Sequence, residues 1–404
     1  MIKKTFSVIG LGYGDEGKGS VVDYLASKYP DKTLVVRHSG GHQVGHTVKV
    51  DGIIHEFRNF GSGTFRGVPT YYDKVCTISP IGFDIEYNVL YKKNPVITPV
   101  VYVHPLCPVT TICDIAFNRA KDRMLSHGSV GLGFGATLQR SEKLPIYAFN
   151  LKYPLILEQK LKEVFSYYHY MICNMGREMK VEYYNQLDKL EKEGFTKQKF
   201  FDSCQFFIET VQLKDFYSDD DFYDSFENII HEGNQGILLD RYHGFFPHVT
   251  YGRTTNATVG AVNEVYYVTR AYATKHGAGD LLYEEDTPLT LINNEDEQNV
   301  INPYQGEFRS AILSYDMIRY AIEADLHDTR DNSAFNNHDK KHLVITCMDQ
   351  IENPKITILL ENGEFAKAPL ISEMFEGLVD EVLFNTSADS ATMKVVKEFN
   401  YDNN

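Results

Sequence analysis

The sequence predicts an α/β protein whose large, mostly parallel sheet is wrapped by helices and carries a P-loop-like nucleotide site and a helical insertion. Short apolar runs recur at residues 6–11, 33–37, 100–104, 229–231, 265–269, 343–346 and 381–384, separated by helical or glycine-rich stretches. The first run enters a glycine-rich loop and then an amphipathic segment, FSVIGLGYGDEGKGSVVDYLA at 6–26. That strand, loop and helix order cradles phosphate on backbone N–H groups. Between about 140 and 228 apolar residues fall at helical spacing and glycines become sparse, which marks the insertion.

The chain has 404 residues and is 43% apolar, enough for a substantial core, and we expect a single domain over 1–404. Within the insertion, the acidic run YSDDDFYDSFEN at 217–228 reads as a solvated loop or a helix start. A formal net charge of −15 argues against nonspecific grip on nucleic acid or on an anionic membrane, both of which need basic surface. The six cysteines form no CxxC pair and no metal spacing with histidine, as expected of reduced thiols. The start MIKKTF shows neither a secretory signal nor a membrane span, and the expected location is cytoplasmic.

The loop Gly12-Tyr13-Gly14-Asp15-Glu16-Gly17-Lys18 fits G-x-x-x-x-G-K, but Gly19 stands where a common P-loop has the Ser or Thr that ligates magnesium. A structural glycine turn is the alternative for this loop taken alone. Two carboxylates in a nest built for anions need a purpose. Asp15 can either help hold the magnesium that neutralises phosphate charge or act as a base beside a reacting phosphoryl group.

A second glycine-rich segment, RHSGGHQVGHTV at 37–48, carries His42 and His46 four residues apart. Glycines at 40, 41 and 45 disfavour a zinc-binding helix face, so a loop that sets His46 against an anionic reaction centre fits better, with an ordinary surface histidine as the alternative. Further glycine clusters at 127–140 and 231–255 offer close backbone approach and polar donors. Four such clusters suggest two phosphate-bearing ligands.

With GDEGKG, GGHxxGHT, EGxQGxLLD and PxVT in this order, the chain resembles the adenylosuccinate synthetase family, which joins aspartate to IMP using GTP. AYATKHGAGDLLYE at 271–284 is similar to the family's AYSTRVGAGPxPTE, and FGSGTFRGVPTYYDKVCTISP at 60–80 to its mobile segment and following strand. The resemblance implies that Asp15 contacts magnesium and removes the N1 proton of IMP, that His46 polarises the transferring phosphoryl group, and that the Gly45 carbonyl ligates Mg2+. Gly14, Glu16, Gly17, Lys18, Gly19 and Thr47 would lie around the GTP phosphates. Gln235 would read the base and serve the chemistry, and Thr250 would meet the 5′-phosphate. The family is an active homodimer, and Arg140 is the candidate for the arginine lent across it.

The departures are specific. Gln43 replaces an asparagine, and Ser129 and Val130 stand where two threonines are usual, so Val130 loses a hydroxyl donor. In the stretch matching the family's aspartate loop, NPYQGEFRSAILSYD at 302–316, Arg309 remains as the fork-shaped carboxylate partner. TCMD at 346–349 resembles the guanine-reading TKLD, with Asp349 as acceptor, and TSADSATM at 386–393 supplies Ser387 on the other side. The expected partners are therefore IMP, GTP and L-aspartate, with a related dGMP synthetase using ATP as the runner-up. Viral relatives of that second kind usually carry a small residue at the position of Asp15. A deviant-Walker ATPase would need KGGxGKT, which is absent, and a plain nucleotide-binding module would leave Asp15 and His46 without purpose.

Overall fold

The apolar runs become strands of one sheet because they are too short for helices and must bury both faces. The computed structural model describes residues 3–125, 129–216, 218–259, 262–284, 289–293, 306–330 and 340–399. Among them a ten-stranded sheet runs, from one edge, Lys394–Glu398, Glu381–Phe384, Lys340–Thr346, Glu264–Arg270, Lys4–Gly10, Asn228–Gly236, Thr33–Arg37, Thr70–Tyr72, Val101–Val103 and Gln212–Leu213. Neighbours pair in parallel throughout except for Lys394–Glu398, which is antiparallel to Glu381–Phe384. In the central strand, Val8 packs on one face with Val21, Val22 and Leu25 of the helix Lys18–Lys28. Ile9 packs on the other with Ile318 and Ile322 of the helix Tyr315–Arg330. Double burial is why these strands read as near-continuous apolar runs rather than as alternation.

The insertion is helical as the spacing indicates, in Pro154–Asn174, Arg177–Lys192 and Lys197–Thr210. Their Val164, Tyr168, Tyr183 and Phe207 share one buried core with Val101 and Val103 of the sheet. The acidic run is a helix start: Asp219 accepts from the Phe222 N–H and caps Asp220–Asp224, while Tyr217 lies outside the described residues. The segment around His46 differs from the expected loop. His46–Val50 pairs with Ile53–Phe57 as an antiparallel hairpin, short enough that alternation and flanking glycines hide it.

Arg140 requires a correction. It is fully buried against an equally buried Asp114, Nε to Oδ1 at 3.1 Å and Nη2 to Oδ2 at 2.8 Å, and its remaining donors reach the carbonyls of Leu144 and Val109. Tyr168 donates to the same carboxylate at 2.7 Å. All three guanidinium nitrogens are bonded inside the subunit, so Arg140 braces the insertion rather than reaching a partner's ligand.

Near the opposite end of the strands from the glycine loops, His342 lies between two carboxylates, Nδ1 at 2.7 Å from Glu381 and Nε2 at 2.9 Å from Glu264, with Tyr266 stacked on its ring at 4.1 Å. Burial alone would push the imidazole pKa down, but both glutamates outweigh it and hold His342 above its ordinary value. Burial pushes Glu381 up, yet the bonds from His342 and Lys340 bring it down to about 2. The histidine contribution is fully present below the unfolded value of about 6.5 and is lost as pH rises through the raised folded value. The glutamate contribution is present above about pH 4.5 and is lost as pH falls toward 2. His342→Gln is expected to lower unfolding free energy by about 1–3 kcal/mol at pH 6, with the deficit shrinking toward pH 9 in denaturant titrations. A deficit constant across that range would contradict a charged His342.

Candidate active site

The loops that follow the carboxyl ends of the parallel strands meet on one side of the sheet, where open α/β folds bind ligands. The central strand ends at Gly10, and the loop after it turns left-handed at Gly14, Asp15 and Gly17, with φ of 98°, 60° and 85°. Glu16 fixes that turn from below. Its Oε1 accepts from the N–H groups of Gly12 and Gly14 at 2.9 and 3.0 Å, and its Oε2 lies 2.6 Å from the Lys18 ammonium. Gly10 and Gly236 have to be glycine, because a Cβ on either would collide with the Glu16 carboxylate. Thr346 donates to the Glu16 carbonyl at 2.7 Å, and Arg270 donates through Nε to the Asp15 carbonyl, so two neighbouring strands anchor the loop.

With Glu16 below the loop, Asp15 faces the cavity, and its Oδ2 is 3.1 Å from His276 Nε2. Desolvation pushes the Asp15 carboxyl up, but the His276 bond and the charges of His276, Arg270 and Lys18 outweigh it and hold the group below the usual carboxylate range. It is an ionised acceptor at neutral pH.

His46 starts the hairpin and packs against the first turn of the helix Lys18–Lys28, where a Cβ on Gly19 would sit 3.0 Å from that of His46. Its Nδ1 is 2.9 Å from Oε1 of Glu232, which also accepts from the Ser62 hydroxyl and N–H. Nδ1 therefore carries its proton toward Glu232, and the buried, unpartnered Nε2 is the reactive nitrogen. Burial pushes the His46 pKa down against the opposing charge of Glu232, while Glu232, raised by burial, is brought below its ordinary value by His46 and Arg37.

Two cavities of about 420 and 490 Å³ adjoin here. The first is bordered by Gly14, Asp15, Glu16, Gly17, Lys18 and Gly19, by Gly45, His46 and Thr47, and at its far end by Asp349 and Ser387. The second is bordered by Ser129 and Thr250. Gln43, Val130, Gln235 and His276 border both and form the junction. Both amide atoms of Gln43 are buried without a partner, as a side chain awaiting a polar ligand would be. At the far end of the first cavity, Met348 N–H bonds the Asn385 carbonyl at 3.2 Å, which ties the loop of Asp349 to that of Ser387. Burial pushes the Asp349 carboxyl up.

Arg309 is the second correction. It borders neither cavity, its Nε and Nη2 fork is closed on Glu284, and Nη1 donates to the carbonyls of Gly277 and Gly279 at 2.8 Å each. An amino-acid carboxylate would have to displace Glu284 to reach it. Residues 302–305 of the expected aspartate loop lie outside the described residues.

For magnesium, Asp15 and Gly45, the expected ligands, both border the first cavity, as do the carboxylates of Glu56 and Asp349, and among the described residues no group of three or more His, Cys, Asp or Glu could hold a metal. That sparse oxygen set fits Mg2+, which keeps most of its waters and takes one or two carboxylates plus substrate phosphates.

Sequence reasoning did not single out Glu232, Arg270 or His276. A buried glutamate heading EGNQG, an arginine ending the strand EVYYVTR and a histidine in the KHGAG loop are the signals that were there.

A parallel sheet with a phosphate loop, a buried His–Glu pair and two adjoining polar cavities defines a nucleotide-dependent α/β enzyme. The adenylosuccinate synthetase family model matches residues 7–308. The chain is 29% identical over 339 residues to the adenylosuccinate synthetase of Flavobacterium psychrophilum, covering 78% of this chain and 74% of that protein. It is 30% identical over 297 residues to the adenylosuccinate synthetase of Chromohalobacter salexigens, covering 68% and 64%. Such matches span about two thirds of the relatives' own length, from 63% to 74%. The fold matches that of fully ligated adenylosuccinate synthetase from Plasmodium falciparum, with a TM-score of 0.66 at 16% identity over 97% of this chain and 99% of that one. It also matches the succinoaminodeoxyadenylate synthetase of cyanophage S-2L, bound to dGMP and dATP, with a TM-score of 0.60 at 13% identity over 98% and 96%. The chain belongs to the adenylosuccinate synthetase family, ligases that form a carbon–nitrogen bond.

Gly236→Ala tests the braced loop, because its Cβ would collide with both the Gly12 carbonyl and Glu16. The expected loss is about 1–3 kcal/mol in stability, on the scale of overpacking, with a larger loss of nucleotide affinity. Unchanged thermal unfolding would contradict the role given to Glu16.

Proposed function

We propose that the chain ligates L-aspartate to IMP at the expense of GTP, through a 6-phosphoryl intermediate, as a Mg2+-dependent enzyme of AMP biosynthesis. The observation that carries this is the junction: a cavity holding the phosphate loop and a cavity bordered by Thr250 share Gln43, Gln235 and His276 beside Asp15. A triphosphate in one and a purine in the other would meet there.

Asp15, kept ionised by His276, takes the N1 proton of the purine, and electron density moves onto O6. O6 forms a bond to the γ-phosphorus as the bond to the β–γ bridging oxygen breaks, releasing GDP. His46, oriented through Nδ1 by Glu232, would act as the imidazolium once the triphosphate's negative charge adds to that of Glu232 and draws a second proton onto Nε2, and it then donates from Nε2 to the charge that develops on the phosphoryl oxygens. The amino group of aspartate then forms the C6–N bond, and O6 leaves as part of inorganic phosphate. Asp15 and the Gly45 carbonyl would hold magnesium, which when bound neutralises charge on the triphosphate. Gln235, with left-handed backbone at φ 46°, turns its side chain into the junction where the base would lie. Asp349 supports guanine as the triphosphate base, since a carboxylate accepts from guanine N1 and N2. The family resemblance supports a cytoplasmic homodimer.

The second reading is amination of dGMP with ATP, favoured by the loss of a hydroxyl at Val130 and by the dGMP-bound fold neighbour. Asp15 favours IMP. Initial rates with IMP or dGMP crossed with GTP or ATP, in the presence of aspartate and Mg2+, separate the two, and the highest kcat/KM is expected for IMP with GTP. Preference for dGMP with ATP would reverse the assignment.

Asp15→Ala is expected to abolish turnover while the fold persists, since the side chain and its main partner, His276, both border the cavity; wild-type-like rates would remove the base. His46→Ala is expected to lower kcat by about 100-fold or more, the scale of losing one charge-stabilising donor. A mutant that loses only IMP affinity would make His46 a binding residue.

A further inference from the structure

The second cavity contains cations that neither the sequence reading nor the reaction has used. Leu239 O accepts from Thr250 N–H at 2.8 Å and Arg241 N–H donates to Gly252 O at 3.4 Å, so the two arms of the segment 239–252 run side by side. This places Arg241 next to Thr250 and Tyr251 on the cavity wall. The guanidinium lies over the Tyr251 ring, 4.5 Å from its centre, and 5.7 Å from the centre of Tyr242. Arg241 also hydrogen-bonds the Tyr251 side chain, and the remaining donors of its five-donor fork can meet a planar or tetrahedral anion. Among the described residues Arg241 has no carboxylate partner.

Lys121 borders the same cavity from the helix Ile112–Leu125 and likewise forms no ion pair among the described residues. One turn earlier, Asn118 bonds Ser129 Oγ at 2.9 Å and Gly133 N–H at 2.8 Å, which fixes the loop 129–133 between this helix and the cavity. A Cβ on Gly135 would lie 3.8 Å from that of Tyr251, so the two walls meet there. The other charged groups on the cavity are Asp122, which accepts from Asn118 and Ser129, and Lys275, which donates to the Asp280 carbonyl at 3.1 Å and lies over the Tyr13 ring. Arg140, expected to supply an arginine across a dimer, is closed on Asp114.

We infer that Arg241, with Lys121, binds the 5′-phosphate of the purine nucleotide in cis, so that each subunit completes its own monophosphate site. Tyr251 is the platform, and Thr250 supplies a hydroxyl beside the guanidinium. The inference rests on the proposed purine-monophosphate reading of the second cavity. It gives the phosphate a fork-shaped partner in place of the hydroxyl lost at Val130.

The test compares IMP with inosine, which lacks only the phosphate, by calorimetric or displacement binding to the full chain. Arg241→Ala is expected to weaken IMP at least tenfold and leave inosine unchanged, with Arg241→Lys retaining part of the loss. Equal weakening of IMP and inosine, or no weakening of IMP, would overturn the assignment. Failure of the unaltered protein to bind either IMP or dGMP would instead overturn the functional reading on which it stands. A mixing experiment at IMP far below its KM decides the cis arrangement: combining Arg241→Ala with Asp15→Ala subunits is expected to give no more activity than the Arg241→Ala subunits alone. Recovery toward one quarter of the wild-type rate, the share expected from hybrid dimers with one intact composite site, would show that Arg241 acts across the interface.

Discussion

The fold of the active site depends on one carboxylate placed underneath its phosphate loop. Glu16 satisfies two loop N–H groups and the Lys18 ammonium at once, in a space that exists only because residues 10 and 236 lack a side chain. A buried charge of this kind is tolerable when it is fully paired and hydrogen-bonded, and removing one partner leaves the other exposed to the full desolvation cost. Glu16 thereby links the central strand to the strand Asn228–Gly236, and its own carbonyl, held by Thr346, links the loop to the strand Lys340–Thr346.

That brace explains how a nest for anions carries two acids of its own. Glu16 is neutralised inside the loop and presents no repulsion to phosphate. Asp15 is left to face the cavity, kept ionised by His276 and by nearby Arg270 and Lys18. The same division recurs at His46, where Glu232 is spent on orienting the imidazole and on Ser62. Each reactive group is therefore paired with a buried group of opposite character, and reactivity is confined to one atom of each. Phosphoryl transfer demands little covalent work from the protein, so fixing these atoms is most of what the fold contributes.

Much of this was legible in the sequence. The runs at 33–37 and 381–384 coincide with strands, and the remaining sheet runs fall within a residue or a few of them, because doubly buried strands are apolar at every position. The loop residues 14–19, His46, Gln235 and Thr250 all border the two cavities, because glycine-rich turns at strand ends leave a strong local signal. Arg140 and Arg309 were misread for a shared reason: an arginine's type is visible in sequence, but Asp114 and Glu284, which occupy their forks, are 26 and 25 residues away. Glu232 and His276 were passed over because their partners, His46 and Asp15, are distant in sequence and only the sheet order brings them together. The short hairpin His46–Val50 with Ile53–Phe57 was hidden by the glycines beside it.

The central claim is that the purine oxygen itself attacks the triphosphate at the junction of the two cavities and later departs as phosphate. IMP labelled with 18O at position 6, incubated with the enzyme, GTP, Mg2+ and L-aspartate, tests this most directly through mass analysis of the released inorganic phosphate. One labelled oxygen per phosphate, with none retained in the aminated purine, is the predicted result. Unlabelled phosphate from a reaction that nevertheless aminates IMP would contradict the account.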